Sequence, residues 1–182
     1  MIDGITITDA IHDLSDPNAE VRYQAAWALQ YIGDASAVTA LLGTIGDVDM
    51  HVRVASAQAL GRIGAGRAVN ALLKLMNHAA AEERYTAAVA LGRIQGLTAK
   101  TPPLSTTLTP SEEEEKKRVI EALRVAMRDD DVYVRCAAAL SLVEIGGFTI
   151  ALKVLEALSR EEVKLREAAV RQVEKQVNQS TY

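Results

Sequence analysis

One cysteine, Cys136, stands in 182 residues, so no intrachain disulfide can form and no cysteine cluster can hold zinc. Aromatic residues are scarce at 4%, with a single Phe and a single Trp. The core has to be built from alanine and aliphatic side chains, which suit close helix packing. Of the four prolines, three fall in one stretch, residues 97–110, so most of the chain is free of the residue that interrupts helices most strongly. No segment approaches 18 consecutive apolar residues, which leaves no candidate membrane span. The opening MIDGITITDA lacks the basic region of a secretory signal, and the expected compartment is the cytoplasm. Basic excess is also missing. The net charge is −4 and the pI is about 5.4, against the basic balance that phosphate contacts demand, so no nucleic-acid partner is expected.

What is present is a folding composition, 49% hydrophobic and 24% charged, in a length that suits one domain. Within it runs a repeat. Arginines follow an apolar residue at Val21-Arg22, Val52-Arg53, Val134-Arg135 and Leu165-Arg166, and Arg84, after Glu83, joins the series. The intervals are 31, 31, 51 and 31 residues, so one spacing carries an insertion of 20. Three and four positions past each arginine stand Ala25-Ala26, Ser56-Ala57, Ala87-Ala88, Ala138-Ala139 and Ala169-Val170. Leu29, Leu60, Leu91, Leu142 and Val173 come at seven, and Ile32, Ile63, Ile94 and Ile145 at ten. These spacings trace one face of a helix, and Gly33, Gly64 and Gly146 then signal its end. Upstream lie second stripes such as Ile7, Ala10, Leu14 and Val38, Leu41, Ile45. Each unit is therefore two helices whose stripes can be buried only by stacking on other units. Asp16, Asp47 and Asp129, with Asn18, Asp49 and Asp131, supply turn and cap chemistry before the second helix. The third unit has His78 and Ala80 there instead.

The pattern D-x-D-x-x-V-R-x-x-A-A-x-A-L-G-x-I-G, with Gly61 and Gly92 after leucine, resembles the HEAT-like repeat of the phycobilisome-lyase type over roughly residues 5–177, insertion excluded. The expected fold is all-α: an α-solenoid, or α-α superhelix, of five HEAT-like helical hairpins in a single domain spanning 1–182. The repeats are expected at about 5–34, 36–65, 67–96, 111–147 and 149–178, with a loop insertion at about 97–110. By the same resemblance, Arg22, Arg53, Arg84, Arg135 and Arg166 are expected to pair with turn aspartates of their own or a neighbouring repeat. Ser111 and Glu114 form a capping-box pattern where helix resumes. The fifth repeat loses the pattern at Glu174 and Lys175, as a terminal cap does.

The second helix usually lines the concave face of such solenoids. Its positions between the buried ones give Tyr23, Trp27, Tyr31, Val54, Arg62, Tyr85, Val89, Arg93, Tyr133 and Leu140 as candidate partner-binding residues. Four of five tyrosines and the only tryptophan fall on this face, where a solvated surface normally avoids them. No catalytic constellation appears. His12, His51 and His78 occupy different phases of the repeat, so no metal set is expected. No His-Glu dipeptide occurs, so the paired motifs of the HEAT-like deoxyhypusine hydroxylase are missing. Gly61 to Gly66 ends a helix and is not a phosphate loop. Cys136 reads as a small apolar residue. The leading expectation is a non-catalytic protein-binding scaffold, a monomer or weak homo-oligomer without a cofactor. The alternative implied by the resemblance is a bilin lyase subunit or phycobilisome-handling protein, whose tetrapyrrole propionates would meet Arg62 and Arg93. A solenoid of the DNA glycosylase kind would need a basic groove, and this one is mainly apolar in its first four repeats.

Overall fold

A computed structural model describes residues 6–100 and 109–146. Eight helices follow one another: α1 (Ile7–Asp13), α2 (Ala19–Ile32), α3 (Val38–Thr44), α4 (Met50–Ile63), α5 (Val69–Leu75), α6 (Ala81–Lys100), α7 (Pro110–Ala126) and α8 (Val132–Gly146). Odd-numbered helices are the first of each hairpin and even-numbered ones the second. They pair as α1 with α2, α3 with α4, α5 with α6 and α7 with α8. Four stacked hairpins are thus in place, and the fifth, with Arg166, lies outside the described residues.

The apolar stripes form one continuous core. Leu29, Leu41, Leu60, Leu72, Leu91, Leu123 and Leu142 are among its largest fully buried side chains. The second helices pack along their length, α2 on α4, α4 on α6 and α6 on α8, whereas the first helices touch one another little. The array is therefore tight along the even row and open along the odd one. Two glycines allow that closeness. A methyl built on Gly61 falls 2.7 Å from Ala90 Cα, and one on Gly92 falls 2.9 Å from Ser141 Cα. Ser141 turns its hydroxyl across the same contact to the Ala88 carbonyl at 2.9 Å.

The ends of the second helices follow the turn chemistry. Asn18, Asp49 and Asp131 cap α2, α4 and α8 through side-chain oxygens. Gly33 and Gly64 close α2 and α4 in the left-handed region, at φ 71° and 76°, where an L side chain is strained. Two boundaries differ from the sequence expectation. Helix α6 does not stop at Gly96 but runs to Lys100. A lone glycine costs a helix only about 1 kcal/mol, and Leu97-Thr98-Ala99-Lys100 brings no stop signal of its own. Helix α7 begins at Pro110, next to the expected Ser111, but its capping box is Thr109 with Glu112, not Ser111 with Glu114. Proline at the first helical position loses no hydrogen bond there and presets φ, so it wins the start. Ile32, placed on the buried stripe by its spacing, is exposed, while Ile94 and Ile145 at the same register are buried. Among the described residues, the first hairpin is packed on one side only.

Candidate functional site

The repeat arginines come first, because they hold the hairpins in register. Arg22 donates from Nη1 to the Asp16 and Pro17 carbonyls of its own turn. Its Nε and Nη2 donate to both carboxylate oxygens of Asp47 in the next repeat, at 2.7 and 2.8 Å. Arg84 repeats this with the His78 and Ala79 carbonyls and Asp129. Arg135 reaches the Asp129 and Asp130 carbonyls. Arg22 and Arg84 thus each fasten their own turn and the next one, a bidentate geometry that arginine alone provides. The pairing implied by the resemblance holds for Arg22 and Arg84, with the partner in the neighbouring repeat.

Arg53 departs from it. The third repeat has His78 where an aspartate would stand. Arg53 instead donates from Nε to Glu83, whose side chain is fully buried and also contacts His78 Nδ1. Glu83 occupies the slot that holds Val21, Val52 and Val134 elsewhere. An acid at that apolar position, in a repeat that lacks the turn aspartate, was the available sequence signal.

Arg22 and Arg84 hold Asp47 and Asp129 below the ordinary carboxylate range. The side-chain hydrogen bond from each arginine is the main cause, opposed by burial and helped by the Asp49 or Asp131 amide. A depressed folded value means stability that is present above the unfolded pKa, about 3.9, and lost as pH falls through the folded one. The urea midpoint should therefore fall on acidification below about pH 4. Asp47→Asn and Asp129→Asn, which keep an oxygen for the turn amide, should flatten that acid limb. An unchanged limb in the double variant would show that other carboxylates govern acid stability.

The candidate binding residues sort by size within one register. Tyr23, Val54, Tyr85 and Cys136 all follow a repeat arginine. Val54 and Cys136 are buried, at 7% and 8% exposure, while Tyr85 is 41% exposed and Tyr23 half-buried. Val54 therefore does not join the open surface as expected. At this register a short side chain is covered by the adjoining second helices, and a tyrosine reaches past them. Trp27, Tyr31 and Tyr133 are exposed at 38%, 51% and 65%. Arg62 and Arg93 are exposed, and Val89 and Leu140 are half-buried.

Two groupings result. On α2, Trp27 and Tyr31 sit one turn apart with ring centroids 4.5 Å apart, and the Arg62 guanidinium of α4 lies 5.4 Å over the Tyr31 ring. The two rings are tilted 51° to one another, and such ring contacts with a cation over one face restrain all three side chains. At the other end, Tyr85 of α6 and Tyr133 of α8 line a cavity of about 360 Å³ with Ala81, Glu82 and Asp131. Those two carboxylates were not among the residues expected from the sequence. A second cleft of about 650 Å³ opens on the odd-numbered row, lined by Leu42, Gly43, Ile45, Gly46, Arg67 and Lys74 among others. The glycines at 43 and 46 leave that space unfilled, and they are the sequence signal for it. Among the described residues, no group of three His, Cys, Asp or Glu is arranged to hold a metal ion, and no helix is long and apolar enough to cross a membrane.

Residues 7–92 match the family model for HEAT repeats. No curated protein sequence matches the chain. Solved structures share its architecture. A designed armadillo repeat protein in complex with the peptide (KR)4 is 21% identical with a TM-score of 0.64, over 92% of this chain and 81% of its own. The complex of CpcE and CpcF of phycocyanin lyase from Nostoc sp. PCC7120 is 21% identical with a TM-score of 0.56, over 92% and 76%. An engineered protein is 21% identical with a TM-score of 0.63, over 91% and 77%. At such identity the likeness is one of fold: an armadillo- and HEAT-type helical solenoid.

Proposed function

We propose that this HEAT-type solenoid is a non-catalytic protein-binding scaffold, or adaptor, that grips its partner on the face formed by the second helix of each hairpin. The observation that carries this reading is the ordered aromatic cluster of Trp27, Tyr31 and Arg62 on that face. Such anchors are the side chains that concentrate binding energy at interfaces, because they bury large rigid surfaces at small entropic cost. Tyr85 and Tyr133 continue the surface toward α8. Two of the similar folds are seen with polypeptide partners, a peptide in one and a second subunit in the other, which agrees with the use proposed here.

The bilin reading is the weaker one. Arg62, one of the two cations it needs for propionates, is already engaged over the Tyr31 ring. Mixing the purified chain with a bilin should leave the bilin absorbance spectrum unchanged, and a shifted spectrum would favour a tetrapyrrole-handling role instead.

The scaffold reading predicts that Trp27→Ala with Tyr31→Ala weakens capture of the native partner by about 2 kcal/mol or more, roughly thirtyfold. Affinity capture from the source cell, quantified for wild type and variant, measures this, with circular dichroism as the folding control. Both residues are exposed, so helicity should be kept. Full capture by a helical double variant would rule out this face.

A further inference from the structure

The four hairpins carry the same four-position arrangement at two of their three seams, and it is closed at one and open at the other. At the first seam the positions are Glu20 and Tyr23 of α2, with Asp49 and His51 at the start of α4. At the third they are Glu82 and Tyr85 of α6, with Asp131 and Tyr133 at the start of α8. At the first seam, Tyr23 meets the edge of His51 with centroids 6.3 Å apart, and Gln24 donates to Glu20 at 2.7 Å. The ring gap is filled and the acid is engaged. At the third seam, buried Thr86 replaces Gln24, and the cavity of about 360 Å³ lies between the positions of Tyr85 and Tyr133.

We propose that this cavity is the receptor for one cationic side chain, lysine or arginine, of a bound polypeptide. The inference rests on the scaffold reading and names the chemistry it recognises. Two tyrosine rings offer π-faces to a cation. Asp131 caps α8 through Oδ1 alone, so Oδ2 remains for a ligand, and Glu82 is exposed beside it. Arg84, which also feels Asp131, is already matched by Asp129 in a bidentate pair, so it offsets only part of the charge of Glu82 and Asp131. An anion would be repelled here, and a neutral apolar group would leave the carboxylates without a counter-charge.

The test is an amide ¹H–¹⁵N NMR titration of the full chain with Nα-acetyl-lysine N-methylamide, against the norleucine analogue, which keeps the four side-chain carbons without the ammonium. Saturable shifts are expected at the amides of Glu82, Tyr85, Asp131 and Tyr133 with the lysine probe only, diminishing as salt rises. Tyr133→Ala should weaken them by about tenfold. Asp131→Asn should do the same while keeping the helix cap, since asparagine caps as well as aspartate. Equal response to norleucine, or no response at this seam, would overturn the proposal. Shifts confined to Trp27 and Tyr31 would overturn it too, yet leave the scaffold face standing. Partner capture by the Trp27 and Tyr31 variant decides that broader reading separately.

Discussion

Arg53→Met is expected to lower the unfolding free energy by about 3–5 kcal/mol, the usual cost of stripping one partner from a buried ion pair. The reason lies in Glu83, whose side chain is fully buried. Its counter-charge is Arg53, and its other contact, His78, is half in solvent. Without Arg53 the carboxylate has to be buried with far less compensation or drag its turn open. The loss should therefore be out of proportion to the exposed salt bridges of this fold, such as Glu121 with Arg124, worth at most about 1 kcal/mol. Adding Glu83→Val to Arg53→Met should restore much of the stability, because valine fills that slot at Val21, Val52 and Val134. A urea double-mutant cycle reads both steps. Were the single variant to lose less than about 1 kcal/mol, Glu83 would not depend on Arg53.

The same substitution should have opposite signs at two glycines. Alanine favours a helix interior over glycine by about 1 kcal/mol. At Gly43 on α3 a methyl meets nothing within 4 Å, so Gly43→Ala should stabilise by about that amount. At Gly61 the added methyl lies 2.7 Å from the Cα and Cβ of Ala90. Neither atom can rotate away, so α4 and α6 must separate and the covered core beneath them loosens. Overpacking of this kind costs about 1–3 kcal/mol, enough to reverse the propensity gain. Thermal or urea unfolding of the two variants gives the comparison directly. If Gly61→Ala were as stabilising as Gly43→Ala, the second helices would not pack at the distance found here.

The repeat itself was legible in the sequence. Apolar spacing, the arginine series and the capping residues are local, and each acts over one or two helical turns. They dictated paired helices that cannot bury their stripes alone, hence a stacked array. The turn caps by Asn18, Asp49 and Asp131 followed from residue type and register, while the pairing of the repeat arginines with turn aspartates came from the resemblance, which left own and neighbouring repeats open.

What the tertiary structure decided concerns distances between helices, which no local pattern encodes. Val54 and Tyr85 share a register, and only the close approach of the second helices buries one and leaves the other open. Glu83 took over from the aspartate missing at His78 because its side chain enters from the neighbouring helix, a route that spacing within one turn does not reveal. The cavity beside Tyr85 and Tyr133 exists because two seams with matching residue types are filled differently. In each case the outcome turns on how side chains from two neighbouring helices meet, which no spacing within one helix encodes.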